Sequence, residues 1–306
     1  MRFTSYKDSL ELLATVLVVS TYEMIDGAGR VLDPAQPRYQ RRVRRLGTGY
    51  LVGVVETGYG MLLLPLPSGI ALMAVSCYDT WQRRNTNSYC MQWAAFREHR
   101  RCFSFFKPTK SYEAMDPWDL ASKVVYILAQ CVNYSSDEEK QQGEHDLGAR
   151  ILRANTLLDA LSEWKSSLGV HFEPLPVEGP PSDRAFKPIW IHPSAFGVSL
   201  QMHSMARILL LIHQPTAGGY LEYLGRDKAI TECIDTIGGI ALRLDDDASR
   251  LMSTQCLFAA GLYCTDQGKR ECIAELIAEH SAHTGWPANV ILADELRVQW
   301  AKQKSG

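Results

Sequence analysis

Residues 193–215 read Pro193-Ser194-Ala195-Phe196-Gly197-Val198-Ser199-Leu200-Gln201-Met202-His203-Ser204-Met205-Ala206-Arg207-Ile208-Leu209-Leu210-Leu211-Ile212-His213-Gln214-Pro215. Proline suits the start of a helix, because its missing amide donor is not needed there, and a second proline stops it. Between the two, Ile208 to Ile212 put apolar groups on nearly every face. Such a helix is buried on all sides, so this stretch predicts the central helix of an all-α core.

The neighbours extend the same pattern. Upstream, Asp116 precedes Pro117 and Asp119, the signature of a capped helix start with a favourable first-turn charge. Leu120, Val124, Ile127 and Cys131 then mark one face. Asp137, Glu138 and Glu139 open a helix expected to run to about Leu168, with Leu147, Ile151, Leu158, Leu161 and Trp164 as its stripe. Pro174, Pro176, Pro180, Pro181 and Pro188 make residues 170–192 a loop, which Phe172, Phe186 and Trp190 are expected to pin to the body.

Downstream, a helix is expected from about Asp227 to Arg243, with Gly238 and Gly239 inside it. Interior glycines cost about 1 kcal/mol each, so close packing or a kink is expected there. Asp245, Asp246 and Asp247 supply a cap for a helix from about Ala248 to Cys264, Thr265 and Asp266 cap another, and Pro287 opens the last.

The chain has 306 residues, 46% hydrophobic and 22% charged, with a formal net charge of −2. These are ordinary values for a soluble globular protein, and the charge does not favour nucleic acid or an anionic membrane over the whole surface. The eight cysteines include no C-x-x-C pair and read as buried thiols. Residues 1–26 form one helix expected to belong to the helical domain, with Leu10, Leu13, Leu17 and Met24 on one face, and carry no leader pattern. Residues 27–110 show no clear period. Leu51 to Ser76 has Glu56 as its only charge, but Gly53, Gly58, Gly60, Pro65, Pro67 and Gly69 interrupt it. It reads as a buried or poorly ordered segment rather than a membrane span.

Chemistry is sparse. The three consecutive aspartates at 245–247 are explained by capping, and His192, His203 and His213 lack zinc-ligand spacing. No nucleophile elbow or phosphate loop occurs, so no catalytic residue, metal site or cofactor is expected. The basic run Arg41, Arg42, Arg44 and Arg45 is the only dense positive cluster, a candidate phosphate contact or import signal.

Four segments, in order, carry a resemblance. They are Asp116-Pro117-Trp118-Asp119 through Tyr134; Pro193 through Arg207-Ile208 to Pro215; Gly239-Ile240-Ala241 through Asp245-Asp246-Asp247 to Leu262; and Arg270-Glu271-Cys272 to Gly285-Trp286-Pro287 and Trp300. Together they resemble the fungal-specific transcription factor domain, the C-terminal regulatory region of zinc-binuclear-cluster regulators. The family's six-cysteine zinc module is expected to be missing from this chain.

The resemblance implies an all-α, multi-helix bundle-like regulatory domain over residues 111–306, with an irregular segment around 27–110. It implies transcription regulation in the nucleus, responsive to a signal or ligand. The implied partners are co-regulator proteins or transcription machinery and a small-molecule effector; direct DNA binding and membrane association are not expected. The alternative is a stand-alone small-molecule-binding or protein-interaction helical protein derived from such a factor. Trp118, Trp190, His203, Arg207 and His213 are the candidate pocket residues.

Overall fold

A computed structural model describes residues 42–45, 51–55, 61–65, 71–73, 92–102, 108–177, 184–216, 218–284 and 287–305. The chain divides into two compact units, Met1–Ser76 and Cys77–Gly306. The helix expected over 1–26 lies outside the described residues.

In the first unit, β1 (Arg42–Arg45), β2 (Leu51–Val55), β3 (Met61–Pro65) and β4 (Ala71–Met73) form a four-stranded antiparallel meander in sequence order. This departs from the irregular segment expected around 27–110. The glycines and prolines that obscure any period, Gly47, Gly49, Gly58, Gly60, Pro67 and Gly69, lie in sequence between the strands and outside the described residues. The basic run enters β1, pairing Arg42 with Val54 and Arg45 with Leu51 in register, while Arg41 lies outside the described residues.

The second unit is all-α. Its helices are α1 (Pro117–Ser135), α2 (Asp137–Gly143), α3 (Leu147–Ser166), α4 (Ser194–His213), α5 (Tyr220–Ala241), α6 (Asp247–Tyr263), α7 (Gln267–Thr284) and α8 (Pro287–Ser305). A short helical stretch over 92–97 precedes them. That stretch joins the core through Ala95 and Phe96, and Gln92 Nε2 donates to the Val125 carbonyl at 3.0 Å. The helical body thus begins upstream of the expected boundary at 111.

The expected central helix is α4, which packs against α1, α5, α6 and α3. It is long and apolar enough to cross a membrane, but 78% of that window is buried inside the protein, as in a core helix. Gln201, with no exposed surface, ties three helices. Its Nε2 donates to the Ile237 carbonyl of α5 at 2.8 Å and to Ser253 Oγ of α6 at 3.0 Å. Indole donors do the same elsewhere. Trp164 Nε1 of α3 donates to the Leu120 carbonyl of α1, and Trp300 Nε1 of α8 to the Gly261 carbonyl of α6, each at 2.8 Å. A buried amide or indole left unpaired costs more than an ordinary bond gains, so these groups fix helix register.

The caps follow the sequence. Asp116 and Asp119 form a reciprocal capping box at α1. Asp246 caps α6, accepting from the Ser249 amide at 2.8 Å. Asp266 accepts from the Lys269 amide at 2.8 Å at the start of α7.

Two helix boundaries differ from expectation. The helix opening at Asp137 breaks after Gly143, and Asp146 caps a new one. Arg150 crosses that break, donating to the carbonyls of Glu139 and His213 at 3.1 and 3.2 Å. A Cβ at Gly143 would meet its Cδ at 2.7 Å. The helix expected from Asp227 starts at Tyr220 instead, and its first residues, Tyr220, Leu221 and Tyr223, are exposed.

Gly238 and Gly239 are close-packed against the proline-rich loop rather than a helix. A Cβ on Gly238 would meet the Phe186 ring at 2.6 Å, and one on Gly239 the Lys187 carbonyl at 2.5 Å. The Ile189 amide also donates to the Gly239 carbonyl at 2.9 Å. Phe172 and Phe186 are buried, and the Leu175 amide donates to the Trp190 carbonyl, so the described part of the loop is pinned.

Candidate functional site

Two cavities flank α5. The smaller, about 170 Å³, lies among α3, α4 and α5 and is lined by Lys165, His203, Ser204, Arg207, Glu232 and Cys233, with Leu200 and Thr236. Helical spacing explains the lining: Leu200, His203, Ser204 and Arg207 recur at three and four residues on one face of α4.

His203 stacks on Trp164 with ring centroids 5.3 Å apart. Burial, together with Lys165 and Arg207 beside it, pushes its imidazole down to about 4, while a hydrogen bond with the Leu161 backbone opposes the shift. Burial pushes the Cys233 thiol up to about 11, against the pull of Arg207. Burial also lowers Lys165 from the usual lysine value. At neutral pH the cavity therefore holds a neutral imidazole and a neutral thiol beside Lys165, Arg207 and Glu232. A thiol held so high is a poor nucleophile.

The larger cavity, about 380 Å³, lies where the loop, the end of α5, the start of α6 and α7 meet. Its lining includes Arg184, Arg243, Arg250, Glu279, His280 and His283. His280 is 4% exposed. Its Nε2 lies 3.1 Å from the Ala241 carbonyl, and its Nδ1 has no hydrogen-bond partner. A carbonyl only accepts, so Nε2 carries the proton and Nδ1 presents a lone pair. Burial pushes this imidazole down to about 4 as well; its bond to Ala241 and the nearby Glu279 oppose the shift, and Arg250 and His283 add to it. Arg184 grips Glu279 with both terminal nitrogens, at 3.1 and 2.5 Å.

Of the candidate pocket residues, the structure brings His203 and Arg207 together in the smaller cavity. Trp118 packs on Phe196 in an aromatic cluster at the start of α1, with centroids 4.7 Å apart. Trp190 is half-exposed in the loop. His213 ends α4, where burial, with Lys140 and Arg150, lowers it to about 4.

The larger cavity draws on no residue flagged from sequence. Its one local signal is the stripe Leu276, Glu279, His280 and His283 at helical spacing on α7. The three aspartates are each engaged: Asp246 caps α6, Asp245 accepts from Ser194 Oγ, and Asp247 lies 3.5 Å from Arg250. The six described cysteines are buried free thiols, and no group of three or more metal-ligating side chains occurs among the described residues.

No family model matches the chain, and neither a curated protein nor a solved structure matches it significantly.

Proposed function

We propose that this chain is a signal-responsive regulatory domain of the fungal zinc-cluster transcription-factor type. In this reading it acts in the nucleus through co-regulator proteins or the transcription machinery, with DNA recognition supplied by another module. The observation that carries the reading is the packing of the four resembling segments. They supply α1, α4, α6, α7 and α8, and these pack on one another as a continuous core. The groups around its cavities also favour binding over catalysis: the imidazoles are held neutral and the Cys233 thiol protonated.

The test is transcriptional. The full chain is fused to a heterologous DNA-binding module and expressed in a fungal reporter strain. The expected result is a several-fold change in reporter output relative to the module alone. An unchanged reporter, with the fusion soluble and nuclear, rejects the regulatory reading.

The second reading is a stand-alone small-molecule-binding protein derived from such a factor. The 380 Å³ cavity favours it, because it falls within the roughly 300–1,000 Å³ usual for ligand sites. A chain that binds a ligand yet leaves the reporter unchanged selects this alternative.

A further inference from the structure

We propose that the larger cavity is a binding site for a small hydroxylated oxyanion, a compound joining carboxylate or phosphate groups to a hydroxyl. The charge points there first. Arg184, Arg243 and Arg250 face one carboxylate, Glu279, across the lining. Asp245 and Asp246 lie outside the lining, Asp245 accepting from Ser194 and Asp246 capping α6. Arg250 meets Asp247 only at 3.5 Å, and that carboxylate is 67% exposed on its side chain. Arg243 has no ion pair or side-chain hydrogen bond among the described residues. Guanidinium groups gathered around a concave surface suit planar oxyanions, which they bind through paired donors.

The second observation is independent of charge. His280 is buried in the lining, its Nε2 is committed to the Ala241 carbonyl, and its Nδ1 lone pair is unmet. Buried polar groups are paired in nearly all folded proteins. A bare anion offers only acceptors and cannot satisfy this nitrogen. A ligand that also carries a hydroxyl can donate to it while its acidic groups meet the arginines.

Every element around the cavity contributes to this pairing. The loop brings Arg184, the end of α5 brings the Ala241 carbonyl and leads into Arg243, α6 brings Arg250, and α7 brings Glu279, His280 and His283. A volume of about 380 Å³ admits a compound of this class.

The test compares ligand pairs that differ in the hydroxyl. The full chain is titrated calorimetrically, at constant ionic strength, with citrate against tricarballylate and with glycerol 3-phosphate against propyl phosphate. The first pair reports a carboxylate ligand and the second a phosphate ligand. The expected result is saturable one-site binding of at least one hydroxylated member, about tenfold tighter than its partner lacking the hydroxyl.

Arg243→Gln changes an exposed residue and is expected to weaken that binding by about tenfold with the thermal melt unchanged. Arg207→Gln, in the other cavity, is expected to leave it intact. Absence of saturable binding with all four compounds overturns the assignment. So does equal affinity within both pairs, or an affinity that Arg243→Gln leaves unchanged. The assignment stands apart from the regulatory reading: a silent reporter with anion binding intact rejects only that reading.

Discussion

The two cavities flanking α5 contain similar side chains but are built differently. Each combines arginine, glutamate and a neutral histidine. In the smaller, His203 lies flat on Trp164, an indole with no exposed surface whose Nε1 is bonded to α1. The imidazole there is held by the core, while Lys165 and Glu232 are exposed at the rim. In the larger, the arginines come from a loop and from helix ends, and Glu279 is 46% exposed on its side chain. The same residue types therefore serve a wall in one place and a mouth in the other. Substitutions at the first should cost stability, and substitutions at the second should change binding.

The largest effect is expected at Trp164. Trp164→Ala removes the ring behind His203, takes the indole donor from the Leu120 carbonyl and opens a void in the core. Loss of about 3–5 kcal/mol in urea denaturation is expected. Arg243→Gln, at the other cavity, should cost less than about 0.5 kcal/mol in the same assay. Equal losses for the two would break the contrast.

Acid comes next. His203 and His280 have folded values near 4, below the ordinary 6.5. As pH falls, the unfolded chain therefore takes up protons before the folded one does. The stability that the neutral rings contribute is full above about pH 6.5, declines from there to about pH 4 and levels off below it. Each site contributes up to about 3 kcal/mol to that decline. The groups acting on His280 are the Ala241 carbonyl of α5, Arg250 of α6, and Glu279 and His283 of α7. His280→Asn should flatten the pH dependence of the urea midpoint over this window; a slope identical to that of the parent chain would show that His280 titrates normally.

A smaller cost is expected where α5 meets the loop. Gly239→Ala puts a methyl 2.5 Å from the Lys187 carbonyl, a backbone atom that can yield only if the loop moves. Overpacking of this kind costs about 1–3 kcal/mol. Because the same loop carries Arg184, the substitution should also weaken anion binding at the larger cavity and leave the smaller one unaffected. Thermal melts with and without citrate separate the two effects.

The contrast between the cavities also explains what the sequence disclosed. Local signals were legible: the box at Asp116 and Asp119, the apolar run of α4, the close approach implied by Gly238 and Gly239, and the loop aromatics Phe172 and Phe186. Each depends on neighbours in the chain. The break at Gly143 was hidden because Arg150, which crosses it, is anchored on the His213 carbonyl far along the chain. The early start of α5 was hidden because Tyr220, Leu221 and Tyr223 are exposed and give no stripe. The β1–β4 meander gives no clear period because glycines and prolines interrupt the apolar stretch that carries β2, β3 and β4. His203 and Arg207 could be flagged because one helix carries both. The larger cavity could not, since its arginines lie on three separate segments and only the fold brings them together.

The smallest effect on stability, and the sharpest on the contrast, is expected at Glu279. Its pair with Arg184 is bidentate but on the surface, with side-chain exposures of 46% and 36%. Such pairs contribute about 0.2–1 kcal/mol, and screening by salt lowers that further. Glu279→Gln should therefore barely move the urea midpoint. It also removes the one carboxylate in the lining among the described residues and breaks the bidentate pair with Arg184. Anion affinity should then rise several-fold, and the rise should shrink in high salt. Glu232→Gln at the smaller cavity makes the same chemical change beside Lys165 and Arg207. There the volume of about 170 Å³ lies below the roughly 300 Å³ at which ligand sites usually begin, so anion affinity should not respond. Calorimetry on the two variants decides it: a gain with Glu279→Gln alone assigns the anion to the larger cavity, and a gain with Glu232→Gln moves it to the smaller.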